Sequence, residues 1–115
     1  MAEPQVFHAL LEQALQRGPL PRGNLAMPIF AHGSMQAELY QPRGSDPQTP
    51  HDRDEIYIVA RGSGTFFNGH EEIKVRAGSL IFVGAGAEHR FLDFSEDFAT
   101  WVIFYGPVGG EKAHP

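Results

Sequence analysis

Residues 49–62 run Thr49-Pro50-His51-Asp52-Arg53-Asp54-Glu55-Ile56-Tyr57-Ile58-Val59-Ala60-Arg61-Gly62. A histidine and a carboxylate stand just before a β-branched and aromatic run that closes on glycine. Ile56, Tyr57, Ile58 and Val59 favour a strand, and Pro50 and Gly62 punctuate its ends. Four residues of extended chain span roughly 13 Å, too far for His51 and Glu55 to meet at one small centre. For the two to act together, Asp52-Arg53-Asp54 must turn, and aspartate is a favoured turn residue because its side chain bonds nearby backbone groups. A helix also puts positions four apart on one face. It is rejected here, because Ile-Tyr-Ile-Val follows at once and no helical repeat surrounds it. The stretch reads as a corner joining two strands.

Downstream, Thr65-Phe66-Phe67 forms a short run that ends at Asn68-Gly69. That dipeptide signals a hairpin whose two central residues take positive φ. Glu71 to Arg76 alternates charged residues with Ile73 and Val75, as in a strand with one wet face. Ala77-Gly78 turns the chain, and Leu80 to Val83 is an apolar run expected to be a strand buried on both sides. Gly84-Ala85-Gly86-Ala87 is a small-residue corner, followed by His89 at the start of His-Arg-Phe-Leu-Asp-Phe. Thr100 to Tyr105 is the last strand, with Trp101 and Phe104 as bulky core residues. Upstream, Leu25 to Gln41 reads as two strands with a turn at Gly33-Ser34. In the second, Met35, Ala37 and Leu39 alternate with Gln36, Glu38 and Tyr40.

Glu3 to Arg17 is the helical candidate. Val6, Phe7, Leu10, Leu11, Ala14 and Leu15 fall on one stripe, with Gly18-Pro19 as the stop. This helix is expected outside the sheet or against a second subunit, and His8, His32 and His114 read as ordinary histidines. The domain organisation expected is a helix and linker over 1–24, a barrel over 25–106 and a flexible tail over 107–115. The roughly eight short strands suit a sandwich or barrel, where closure hides sticky edges.

The chain has 115 residues, 42% of them hydrophobic, which suffices for one domain with a core. Thirteen glycines and nine prolines favour short elements and turns, hence an all-β fold with one short helix. A formal charge of −5 with no basic run argues against nucleic acid as a partner. No cysteine is present, which excludes disulfides and thiolate metal sites. The start carries no signal-peptide pattern, and no apolar stretch reaches the ~20 residues of a membrane span. The expectation is a soluble, cytoplasmic protein with no membrane partner.

His51, Glu55 and His89 each lie where a corner marked by glycine or proline meets an apolar strand. Two imidazoles and one carboxylate on one face of a metal ion leave the opposite positions open. That set suits divalent iron in oxygen chemistry and also accommodates manganese, nickel, zinc or cobalt.

These segments resemble the paired motifs of the cupin superfamily, small double-stranded β-helix (jelly-roll) barrels. The first motif places two histidines around one residue, then a glutamate, then a glycine six residues on. Here Gly44 precedes Thr49-Pro50-His51, Glu55 and Gly62. The second motif is matched by Gly78, Gly84 in place of its proline, Gly86, His89, and Asp93 in place of its asparagine. The resemblance implies a single-domain jelly-roll barrel whose metal ligands are His51, Glu55 and His89, and which associates as a homodimer. The first motif histidine is missing, and Thr49 occupies its place. That departure either opens a coordination position for substrate or dioxygen, or weakens the site until it works without metal. Gln48 lies close enough in sequence to supply an amide oxygen. Strand alternation puts Tyr57 and Val59 on the side of Glu55, and Phe91 and Asp93 on the side of His89. Gln48, Thr49, Phe91 and Asp93 are therefore candidate pocket residues, and Tyr57 is a candidate proton donor or simply pocket wall. Glu88 and Arg90 are expected to face out as surface ions.

The function expected is that of a metal-dependent enzyme, an oxygenase, acting on a small organic molecule. Isomerase or decarboxylase chemistry is a variant. The alternatives are a non-catalytic module that binds a small ligand or metal, and a metal-free isomerase using His89 or Tyr57 as acid–base groups.

Overall fold

The structure is a computed structural model that describes residues 5–17 and 25–112. Among these residues, eight strands follow one short helix, α1 (Leu11–Leu15): β1 (Ala26–His32), β2 (Met35–Tyr40), β3 (Asp54–Arg61), β4 (Ser63–Phe67), β5 (Glu72–Arg76), β6 (Leu80–Val83), β7 (Arg90–Leu92) and β8 (Ala99–Tyr105). All pairings are antiparallel, in a five-stranded sheet ordered β1-β2-β8-β3-β6 and a three-stranded sheet ordered β5-β4-β7. Two antiparallel sheets agree with the sandwich or barrel expected from strand spacing, and with the jelly roll that the cupin resemblance implies.

Tyr40, Tyr57, Val59, Phe66, Val75, Val83, Phe91, Phe98 and Val102 fill the interior between the sheets. Phe91 sits at its centre, with ring centroids 5.1 Å from Tyr57, 5.4 Å from Phe66 and 5.0 Å from Phe98. A second cluster of Ala14, Met27, Ile29, Leu39 and Ala99 lies on the outer face of the larger sheet, beneath α1. Strand β2 therefore serves both sides: Leu39 packs outward under the helix and Tyr40 packs inward. The register sets Glu38 opposite inward-facing Val102, which places the polar residues of β2 on the barrel side and the apolar ones beneath the N-terminal segment.

Several expectations are corrected. Among the described residues helix is confined to Leu11–Leu15, and Leu10 has extended backbone. So short a helix has little stability of its own, and burial of Ala14 on the sheet decides where it forms. Before it, Phe7 stacks on Phe30 at 4.3 Å. Positions 3, 4 and 18–24 of the expected helix, stop and linker, and His114, lie outside the described residues. Strand β6 is not buried on both sides. It is the last strand of its sheet, and Leu80 and Phe82 are 72% and 61% exposed. Ile73 is also exposed, which leaves Val75 as the buried residue of β5. In β8 the fully or nearly buried residues are Ala99, Thr100 and Val102, whereas Trp101 packs against the outer cluster. The hairpin at Asn68-Gly69 exists, but only Gly69 takes positive φ. Asn68 instead accepts the backbone N–H groups of His70 and Glu71 with its side chain, at 2.9 and 2.8 Å.

Gly62 joins the two sheets at a φ of +81°, where a Cβ would stand 2.9 Å from the Cα of Phe98. Replacing Gly62 with alanine combines left-handed strain with a backbone clash. Urea denaturation of Gly62→Ala is expected to show a loss of about 2 kcal/mol or more. A midpoint equal to that of the wild type removes Gly62 as the obligatory joint.

Candidate metal centre

Two corners are stitched together by backbone. Asp52 and Arg53 form the bend that opens β3. The N–H of Gly86 donates to the carbonyl of His51 at 2.7 Å, and that of Ala85 donates to Asp54 Oδ1 at 2.9 Å. The other Asp54 oxygen accepts the N–H of Glu111 at 2.8 Å, and Gly109 donates to the carbonyl of Asp52 at 2.7 Å. These backbone donors hold the Asp54 carboxyl below the usual carboxylate range. Residues 107–112 are thus tied to the same corner. With the corners locked, the inward alternation of β3 presents Glu55, Tyr57 and Val59, and His89 enters just before β7.

His51, Glu55 and His89 each offer a ligand atom within 4.8 Å of the others. His89 Nε2 lies 2.7 Å from Glu55 Oε1, and His51 Nε2 lies 3.9 Å from Glu55 Oε2. The Glu55 and His89 side chains are each 1% exposed, while that of His51 is 34% exposed. His89 Nδ1 lies 2.9 Å from the carbonyl of Ala87, which only accepts, so Nδ1 carries the proton and Nε2 faces Glu55. Despite its closeness to Oε1, Nε2 is not aligned for a hydrogen bond, and Glu55 Oε2 has no donor either. A buried carboxylate without adequate partners costs several kcal/mol. A cation or a proton between the two groups removes that cost. The donor set of two imidazoles and one carboxylate fits a divalent ion of the iron, manganese, nickel, zinc or cobalt type.

Tyr57 is buried, and its hydroxyl donates to Gln48 Oε1 at 2.8 Å, with Glu55 Oε1 at 3.4 Å. Burial, with the charge of Glu55 beside it, pushes its phenol up, so it stays protonated. Gln48 reaches the centre, with Oε1 3.2 Å from His51 Nε2, whereas Thr49 is exposed. Phe91 is interior wall. Asp93 lies beyond the end of β7, exposed and at a φ of 49°, apart from the three donors. Glu88 and Arg90 pair at the surface at 3.2 Å.

Two residues carry more than their sequence context suggested. Asp46 is buried and accepts from Tyr40 Oη, from Gln48 Nε2 at 2.7 Å and from the N–H of Phe91 at 2.8 Å. It sits in a loop without periodicity, so no pattern singled it out. Glu38 faces the interior of the sheet, where burial raises its carboxyl pKa and the charge of His51 lowers it, with a net rise. The alternation of β2 marked its face as distinct but did not say which face was inside.

The family model described as the cupin domain matches residues 37–105. An uncharacterized protein of Streptomyces coelicolor is 40% identical over 63 residues, which cover 55% of this chain and 60% of that protein. The match thus spans less than two thirds of this relative. A solved structure of a Neisseria meningitidis protein superposes with a TM-score of 0.68 at 19% identity, covering 87% of this chain and 100% of that one. A DMSP lyase of Ruegeria pomeroyi is similar at 26% identity and a TM-score of 0.57, over 64% of this chain and 39% of that one.

Burial lowers the His89 pKa, but the Glu55 carboxylate and the Ala87 carbonyl outweigh it, so the net shift is upward. Protonated His89 therefore stabilises the metal-free fold fully below the ordinary value of about 6.5, and that contribution is lost as pH rises through the folded value. Melting of metal-free protein is expected to fall across this window, and His89→Gln is expected to abolish that dependence. A flat pH profile in the wild type contradicts the pairing of His89 with Glu55.

Proposed function

The chain belongs to the cupin family, and on that premise we propose that it holds one divalent metal ion with His51, Glu55 and His89 and acts as an oxygenase on a small organic molecule. The observation that carries this reading is the buried pair of acceptors, His89 Nε2 and Glu55 Oε1, facing each other at 2.7 Å with no hydrogen bond between them. When bound, a redox-active divalent ion supplies Lewis acidity and one-electron chemistry with dioxygen, and a two-histidine, one-carboxylate set leaves room for both reactants.

The residues divide the remaining work. His51 is the solvent-facing donor and lines a depression of about 350 Å³ with Pro50, Asp52, Ala85, Gly86 and Val108, which serves as the approach for substrate. Phe104 meets the His51 ring edge-on at 5.2 Å, and Tyr57, Phe66 and Phe91 form an aromatic wall that keeps water from the inner donors. Tyr57, held in its protonated form, acts as a hydrogen-bond donor and not as a base.

Elemental analysis of purified protein is expected to find about one metal ion per chain, and His51→Ala and His89→Ala are expected to lose it while remaining folded. Oxygen consumption after iron loading, screened over small phenols, keto acids and thiols, tests the reaction class. Metal without turnover favours a binding module, and full metal occupancy in either alanine variant removes that residue from the ligand set.

We also assign a second copy of this chain to the outer face of β3 and β6. Among the described residues β6 is an edge strand, and Ile58, Leu80 and Phe82 are exposed on the outer face, so a two-fold face-to-face contact would cover the patch. Light scattering is expected to give twice the 12.7 kDa chain mass, with the double variant Leu80→Glu/Phe82→Glu monomeric. A monomeric wild type overturns this assignment.

A further inference from the structure

We infer that Gln48 supplies a fourth protein donor, its side-chain amide oxygen, and that Asp46 is the positioning residue that aims it. The inference rests on the metal reading of His51, Glu55 and His89 proposed above. Gln48 Oε1 lies 3.2 Å from His51 Nε2. Bonds of about 2.0–2.1 Å to a common ion put neighbouring donors roughly 2.8–3.4 Å apart, from octahedral to tetrahedral geometry. The observed separation falls within that range.

The orientation of the amide follows from its other end. A side-chain amide has an accepting oxygen and a donating nitrogen of nearly the same shape, so only its partners decide which points where. Gln48 Nε2 lies 2.7 Å from Asp46 Oδ2. A carboxylate accepts and cannot donate, so turning the amide over would set two acceptors against each other. Asp46 thus obliges Oε1 to face His51. The hydroxyl of Tyr57 occupies one lone pair of that oxygen at 2.8 Å and leaves the other for the ion.

Asp46 is itself held on several sides. Tyr40 Oη, the N–H of Gln48 at 3.2 Å and the N–H of Phe91 at 2.8 Å all donate to it. Phe91 stands two residues after His89, so one buried carboxylate fixes the loop bearing Gln48 against the strand that follows His89. Thr49, which occupies the place of the motif histidine, is exposed and takes no part. The resulting set has two nitrogen and two oxygen donors, with Glu55 as the anion among them. Such a set suits a harder ion than three imidazoles would.

The test is a titration of metal-free protein with cobalt(II) in competition with a chromophoric chelator, with the visible spectrum of the bound ion as a second readout. Gln48→Leu is expected to weaken cobalt binding about 10- to 100-fold and to change the spectrum. Asp46→Asn is expected to weaken binding less, and to add nothing in a Gln48→Leu background because both act through one atom. Binding within twofold of the wild type in Gln48→Leu, with an unchanged spectrum, overturns the inference and leaves the three-residue centre standing. Weaker binding with an unchanged spectrum also overturns it, since Gln48 would then act only by positioning. A wild type that binds no cobalt overturns the metal reading itself. Gln48 is half-buried in a loop, so its variant is expected to fold, and the Gln48→Leu arm decides the matter if Asp46→Asn does not.

Discussion

The carboxylate of Glu55 and the Nε2 of His89 are forced together in the dry interior of the barrel, and neither Nε2 nor Glu55 Oε2 has a hydrogen-bond partner among the described residues. Electrostatics does not tolerate that arrangement without a positive charge between the groups. A proton would relieve it, and so would the divalent cation of the function proposed above, so the same two atoms would couple stability and pH response to that proposed metal binding. The surrounding aromatic rings sharpen the effect by excluding water, which would otherwise solvate the carboxylate.

What brings these atoms together is backbone more than side chain. His51 and Glu55 meet because the chain bends at Asp52-Arg53, and His89 joins them because the corner at Ala85-Gly86 is bonded to His51 and Asp54. The last described residues add to the same junction through Gly109 and Glu111. Locked corners hold the three side chains in place without a ligand, which would limit the ordering cost of the metal binding proposed above. The loop carrying Gln48 gains its rigidity differently, from the buried Asp46 and its ring of donors.

Much of this was legible along the chain. The strand boundaries follow from β-branched runs between glycine and proline, and the antiparallel barrel follows from their short, regular spacing. Distance shows that His51 and Glu55 can meet only if the chain does not run extended between them, and the strand-forming run after Glu55 favours a turn over a helix. Other features were misread for identifiable reasons. Leu80 to Val83 has the composition of a buried strand, but composition cannot report that the strand ends a sheet. The apolar repeat near the start signals one sticky side, yet helix forms only where the sheet buries Ala14. Asn68-Gly69 marks a hairpin, while the Asn68 side chain supplies a different turn from the two-residue one.

The sequence by itself determined the family, the alternation that turns Glu55, Tyr57 and Val59 inward, and the residue types able to grip a cation. These are local properties: propensity, a two-residue period and motif spacing, each set by neighbours in the chain. Only the tertiary structure decided which face of β2 is interior, that Asp46 is buried, and that Gln48 and not Thr49 reaches the centre. Those depend on contacts between residues far apart in sequence, such as Asp46 with Phe91, whose closure no local pattern encodes. A motif counts positions along the backbone, whereas a donor atom is placed by the path of its loop and by what holds that loop in three dimensions.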